Sequence, residues 1–170
     1  MKTKTITRLG ILLCLGLILS YVESLIPIMV AVPGFKIGLS NIVTMYVLYL
    51  YDNKKAFTIM VLKVVLSGFL FSGISAIIYG LAGGVFCIVV MSLLKKTNLF
   101  SIMTVSMTGA ISHNFGQLVA AFIVMRNVQI FMYFPVLILT GTVTGLLIGF
   151  LSGIVIKRLE NSSLFSSKDV

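Results

Sequence analysis

Residues 99–125 read LFSIMTVSMTGAISHNFGQLVAAFIVM, an apolar run with a polar string near its middle. A run of this length can cross a bilayer as one helix, since a span needs roughly 20 residues. Strong hydrogen-bonding side chains at that depth are costly unless they face other helices or a cavity. His113 and Gln117 are four residues apart and share one helix face, on which Gly109 also lies. We therefore predict that this face is a binding surface inside a membrane-embedded helix.

The rest of the chain is equally apolar. Of its 170 residues, 59% are hydrophobic and 10% are charged, and the mean hydropathy is +1.16. This composition is typical of a protein that crosses the membrane several times and leaves no room for a sizeable soluble domain. Cys14 and Cys87 each lie within an apolar run, which favours packing over a disulfide. The basic start resembles a signal peptide, but no A-x-A site follows, so we predict an uncleaved first span.

Six apolar stretches predict the architecture. We expect an all-α integral membrane protein, a single bundle of six transmembrane helices over residues 1–160, followed by a disordered cytoplasmic tail at 161–170. The weakest boundary is the short turn at Ser72 and Gly73, because without it the chain would cross the membrane five times. Short stretches are tolerated as spans when they pack inside a bundle. The predicted spans are 6–26, 37–51, 56–71, 74–94, 99–125 and 133–156.

The basic residues predict the orientation. With the N-terminus in the cytoplasm, ten of the 13 Lys and Arg fall on the inner side and two, Lys36 and Arg126, on the outer side. This positive-inside pattern predicts cytoplasmic termini, and it explains the net charge of +9 without nucleic-acid binding. The outer loop at residues 27–36 contains two prolines and a glycine, so it is either a partial lid or a tight interfacial turn.

Polar side chains from three spans are predicted to share one layer in the outer half of the bundle. At a rise of about 1.5 Å per residue, Glu23 and His113 lie roughly 20–25 Å from the inner edge of a core about 30 Å thick. The layer is either a ligand pocket or a set of interhelical hydrogen bonds. We interpret it as a pocket that opens outward, with two cations at its mouth to favour an acidic group. The predicted substrate-binding residues are Glu23, Lys36, Asn41, His113, Asn114, Gln117 and Arg126.

Lys63 lies within the third predicted span and is the one cation that the count assigns to neither side. It lies roughly 10 Å above the inner edge, within reach of the cytoplasmic boundary for a long flexible side chain. We therefore expect it to extend toward the cytoplasm or to contact a cluster of carbonyl groups, rather than to bind substrate.

Small residues mark two helix faces where another backbone can approach closely. In the last span glycines recur every four residues, and the first span has a looser version of the pattern. Such faces commonly pack within a bundle, and the alternative is contact with a partner subunit. The predicted partner interface comprises Gly10, Cys14, Gly16, Ser20, Gly141, Gly145, Gly149 and Gly153.

Several kinds of chemistry are not predicted. The chain has no GxxxxGK[ST] loop and therefore no expected ATP site of its own. One histidine and two separated cysteines cannot form a zinc site, so no metal and no cofactor are predicted. Prenyl diphosphate condensation needs clustered carboxylates that hold Mg²⁺, whereas the only aspartates are Asp52 and Asp169. We therefore predict that the chain is not an enzyme.

Four strings carry a resemblance to a known family: YVESLIP at 21–27, PGFKIGLSNIVT at 33–44, LAGG at 81–84 and GAISHNFGQ at 109–117. Together they resemble the bacterial Gx transporter family, widely labelled heptaprenyl diphosphate synthase component I, over nearly the whole chain. That family is similar in architecture to the S components of energy-coupling factor (ECF) vitamin transporters. The resemblance implies a substrate-binding protein of the bacterial cell membrane with an outward-facing site. It also implies small-residue faces that dock a transmembrane coupling subunit, with energy from separate ATPases.

The family label implies a second function. A non-catalytic membrane component associated with polyprenyl diphosphate synthesis, or with quinone or flavin electron transfer, is the alternative to uptake. That alternative predicts a docking face on the cytoplasmic side, where only short basic loops are available. We therefore favour the uptake of a small molecule.

The orientation can be tested by cysteine labelling in intact cells. Because residues 27–36 are predicted outside and the loop before the third span inside, a membrane-impermeant thiol reagent should label Ala31→Cys and not Asn53→Cys. Labelling of position 53 from outside, with position 31 protected, would reverse the predicted orientation.

Overall fold

The computed structural model describes residues 3–25 and 38–160. The predicted lid or turn at 27–36, with Lys36, and the predicted tail at 161–170 lie outside the described residues. Within them the chain is helical and contains no strand, which confirms the all-α prediction. The elements are α1 (Thr3–Ser24), α2 (Asn41–Leu50), α3 (Asn53–Ser67), a π-helical turn (Gly68–Ser72), α4 (Ile74–Thr97), α5 (Ile102–Met125), a 3-10 helix (Val128–Tyr133) and α6 (Phe134–Glu160).

Five of the described helical segments are long and apolar enough to cross a membrane, and α2 differs from them. Its ten residues extend only about 15 Å, half of the hydrocarbon core. Every residue from Val43 to Leu48 is buried, so α2 has no lipid-facing side. A helix that is apolar all round belongs in the interior. The predicted second span is therefore a short central helix that packs against α1, α3 and α6.

The predicted turn between the third and fourth spans is present. Gly73 has a φ of +85°, a conformation in which a side chain would be strained, and α4 begins at the next residue. Before it, the π-helical turn brings Gly68 against α4, where a Cβ atom would collide with the side chain of Ile77. The chain thus reverses direction within one or two residues.

Glycines hold α5 between α4 and α6. A Cβ atom on Gly83 of α4 would lie 2.8 Å from the His113 carbonyl oxygen. On the other side, a Cβ atom on Gly145 of α6 would lie 2.6 Å from Met107 Cα. Both distances are too short for a side chain, so the backbones are in direct contact.

The predicted partner surface on α6 is therefore wrong for three of its four glycines. Gly141, Gly145 and Gly149 all face α5 within the chain. Only Gly153 has open space, with no heavy atom within 4 Å of an added Cβ atom. The spacing of the glycines identified a close helix contact, and that contact is intramolecular.

The predicted partner surface on α1 is also divided. Gly16 and Ser20 are buried, whereas Gly10 and Cys14 are exposed. The cause is helical phase: at about 100° per residue, Gly16 lies about 240° around the axis from Gly10. The four residues therefore occupy two faces and cannot form one docking surface.

Basic side chains gather at one end of the bundle. Lys95, in the last turn of α4, donates to the Leu48 carbonyl oxygen near the end of α2, and its ammonium lies 5.3 Å from the Tyr49 ring centroid. Lys55 pairs with Asp52 at 2.8 Å beside the start of α3. Burial acts to raise the pKa of Asp52, but hydrogen bonds and the charge of Lys55 outweigh it and hold that pKa below its ordinary value. We keep the cytoplasmic location of this end as a prediction.

The α5–α6 contact can be tested by enlarging its glycines. We expect Gly145→Leu to lower the free energy of unfolding by about 1–3 kcal/mol or more, because the helices must separate to admit the side chain. Gly153→Leu, on the same helix but in open space, is the matched control and should change it little. Unfolding in detergent measures both variants, and equal stability of the two would contradict this helix contact.

Candidate functional site

A cavity of about 70 Å³ lies in the bundle and receives side chains from all six helices. We call it the polar chamber. It contains one carboxylate, one ammonium and one imidazole together with hydroxyl and amide groups. Its polar lining residues are Ser20, Glu23, Ser40, Asn41, Lys63, Ser67, His113, Asn114, Gln117 and Thr144.

The structure brings together five of the seven predicted site residues: Glu23, Asn41, His113, Asn114 and Gln117. A role for them in ligand binding stays a prediction.

Arg126 does not belong to the chamber. It is exposed at the end of α5, where its φ of +50° ends the helix, nine residues beyond Gln117. Nine residues of helix correspond to about 13 Å. Arg126 thus does not line the chamber, its position at the mouth stays a prediction, and Lys36 lies outside the described residues.

Lys63 is the charged site residue that sequence reasoning missed. It is only 3% exposed. Its ammonium donates to Asn41 Oδ1 at 2.9 Å, to Ser40 Oγ at 3.2 Å and, at the distance limit, to Thr44 Oγ1 at 3.5 Å. The expected extension toward the cytoplasm is wrong, because the oxygens that satisfy the ammonium lie at the start of α2. The signal was the polar spacing of residues 40, 41 and 44 on that helix.

Gly16 makes room for the Lys63 side chain. A Cβ atom on Gly16 would lie 3.4 Å from Lys63 Cδ and 3.7 Å from Val43. The small residue on α1 thus serves the interior of the chain, and a large side chain there would press on the lysine. A leucine at position 16 would therefore disturb the chamber.

Glu23 closes the chamber at the end of α1. Its side chain is 3% exposed, and its carboxylate Oε1 accepts a hydrogen bond from the backbone N–H of Gly38. Gly38 has a φ of +88°, which a residue with a side chain rarely adopts. This contact joins α1 to the segment that leads into α2 and fixes the carboxylate beside the chamber.

The polar string of α5 is held on both sides. Asn114 Nδ2 donates to the Leu137 carbonyl oxygen of α6 at 2.9 Å, so this amide joins two helices as well as lining the chamber. On the opposite side, Gly83 leaves room for His113 and Gln117, because a Cβ atom there would lie 2.9 Å from each side chain. The string therefore makes an interhelical hydrogen bond and also lines the chamber, whereas a ligand pocket stays a prediction.

A second cavity of about 40 Å³ adjoins the polar chamber and shares Asn41, Lys63 and His113 with it. We call it the apolar chamber. It extends along α4 and α5 toward the basic end of the bundle. Its apolar lining side chains include Met45, Met60, Cys87, Ile88, Met91 and Ile148. The complete site is amphipathic, with charge in one part and flexible sulfur-containing side chains in the other.

Within residues 3–25 and 38–160, no three His, Cys, Asp or Glu side chains come together as metal ligands.

The sequence profile of a family described as heptaprenyl diphosphate synthase component I matches residues 12–155, more than four-fifths of the chain. The chain belongs to this family. The match includes the chamber-lining residues from Ser20 to Thr144. No curated protein and no solved structure matches the chain. The predicted family is confirmed, and the similarity to S components stays a prediction.

Proposed function

We propose that this protein is a membrane-embedded binding component that captures a small amphipathic molecule for uptake. A transmembrane coupling subunit and separate ATPases would supply the energy, since the sequence contains no phosphate-binding loop. The observation that carries the proposal is the burial of Glu23 and Lys63, with the partly buried His113, around one chamber inside an apolar bundle. Ionisable groups at membrane depth are costly, and they mark substrate or ion sites.

The two chambers suggest how the ligand lies. Its polar end would occupy the polar chamber, where Lys63 can donate to an oxygen and Glu23 can accept from an N–H or O–H group. Its apolar end would enter the apolar chamber beside Met60 and Met91. Each net hydrogen bond contributes only about 0.5–1.5 kcal/mol, so nanomolar binding also needs burial of the apolar part.

Binding requires side-chain movement. The chambers, at about 70 and 40 Å³, are smaller than the roughly 300–1,000 Å³ of typical ligand pockets. Methionine has an unbranched, flexible side chain that can be repacked at little cost. Three methionines line the apolar chamber, so its volume can grow when they repack.

The proposal predicts that Lys63→Met loses a bound molecule that the wild type retains. Native mass spectrometry of protein extracted from its own membrane identifies the molecule. Loss of a charged hydrogen bond costs about 1.5–3 kcal/mol, so retention should fall roughly tenfold to a hundredfold. Lys96 is an exposed lysine on α4, away from the chamber, so Lys96→Met is the matched control and should retain the molecule. Equal retention by both variants, with unchanged folding, would refute the binding role of the chamber.

The family description favours a second candidate, a non-catalytic membrane component that associates with a soluble polyprenyl diphosphate synthase. In that case the functional surface would be the basic end, with Lys54, Lys55 and Lys95, rather than the chambers. The chain has only four acidic residues, dispersed at 23, 52, 160 and 169, which argues against condensation by the chain itself.

An assay separates this candidate from uptake. We expect that the purified protein, given Mg²⁺ and prenyl diphosphates, does not elongate the prenyl chain, because it lacks a carboxylate cluster to hold the metal. Product formed by the chain alone would contradict that argument. Stimulation of an added soluble synthase, lost on Lys54→Glu and kept on Lys63→Met, would favour the second candidate over uptake.

A further inference from the structure

A groove of about 540 Å³ lies between the N-terminal halves of α1 and α3, away from both chambers. Leu9 and Ile59 form its buried floor, and Ile6 and Leu62 form its exposed edges. Above the groove the helices meet, where Gly16 of α1 borders the Lys63 side chain of α3. The groove thus begins below that contact and continues to the basic end of the bundle.

Gly10 keeps the groove open. It lines the groove, it is exposed, and an added Cβ atom would have no heavy atom within 4 Å. The glycine at this position therefore does not serve a close contact between helices of this chain. It creates apolar space between two membrane-spanning helices, and a lipid-soluble group is what such a space admits.

Charge is concentrated at the basic end of the groove. Asp52, Lys54 and Lys55 line it there. Lys55 pairs with Asp52 at 2.8 Å and lies 5.4 Å from the Tyr51 ring centroid, so the charges of these two residues compensate each other. Lys54 is exposed and has no carboxylate partner among the described residues, so it contributes the net positive charge.

The length of the groove identifies the kind of chain that fits. From Lys54 to Leu62 helix α3 rises about 12 Å, slightly less than half of a hydrocarbon core of about 30 Å. That is the depth of one leaflet. An acyl chain of a bilayer lipid has this reach and places its phosphate at the level of the lysines.

From these observations we propose that the groove binds one anionic phospholipid of the leaflet at the basic end, with an acyl chain between α1 and α3 and its phosphate beside Lys54. The site is distinct from the chambers and does not depend on the proposed function. A soluble phosphate lacks the chain that the apolar walls require. A polyprenyl phosphate shares the head chemistry, but its longer chain exceeds the groove.

The test uses the delipidated full-length protein in detergent micelles that contain equal amounts of phosphatidylglycerol and phosphatidylcholine with identical acyl chains. Native mass spectrometry counts the retained lipids. We expect about fivefold enrichment of phosphatidylglycerol, the preference that one lysine gives for an anionic headgroup. Inorganic phosphate should not displace the lipid, whereas displacement would assign the site to free phosphate.

Two variants separate the contribution of the lipid headgroup from that of the acyl chain. Lys54→Gln should bring the two lipids to parity without removing them. Gly10→Leu should reduce retention of both, because its side chain fills open space in the groove and does not disturb folding. Gly153→Leu, in open space on α6, is the matched control and should behave as wild type.

Three further results would overturn the assignment. Equal retention of the two lipids by the wild type would show that the site does not prefer an anionic headgroup. Equal lipid retention by Gly10→Leu and Gly153→Leu would show that the lipid does not bind in the groove. Displacement of phosphatidylglycerol by heptaprenyl phosphate at a much lower mole fraction would assign the groove to a prenyl lipid instead.

Discussion

The burial of the Lys63 ammonium is the constraint on which one half of the bundle depends. An ammonium in a membrane interior is unstable unless oxygen atoms surround it. Ser40, Asn41 and Thr44 supply those oxygens from the first turns of α2. This requirement explains why an otherwise apolar central helix begins with polar residues, and why α1 carries a glycine, Gly16, where the lysine passes. Helices α1, α2 and α3 are thus joined around one charge.

The other half of the bundle depends on backbone contact. Lipid is as apolar as leucine, so helices in a membrane associate through close packing and hydrogen bonds rather than through the hydrophobic effect. Gly83 and Gly145 bring α4 and α6 against the backbone of α5. Next to the Gly83 contact, Asn114 donates to the carbonyl oxygen of Leu137. These contacts fix the rotation of α5 and thereby direct His113 toward the chamber.

The positions and depths of residues along each helix could be predicted from the sequence, whereas the contacts between helices could not. Hydropathy located the helices, and the constant helical rise placed Glu23 and His113 in one layer, which the structure brings together. The direction of the Lys63 side chain depends on oxygens from another helix, and no count along α3 reveals it. The α6 glycines predicted a close contact but could not identify the partner, because spacing is the same for intramolecular and intermolecular packing. The error on α1 could have been avoided from the sequence, because the angle around the helix axis between Gly10 and Gly16 follows from their spacing.

The charges in the polar chamber constrain the ligand that a binding function would select. The formal charges of Glu23 and Lys63 cancel, so a neutral or zwitterionic ligand leaves the buried charge of the bundle unchanged. A net anion adds a negative charge to a medium that solvates charge poorly, which is costly without compensation. The two buried, opposite charges would therefore favour a neutral or zwitterionic ligand over a net anion.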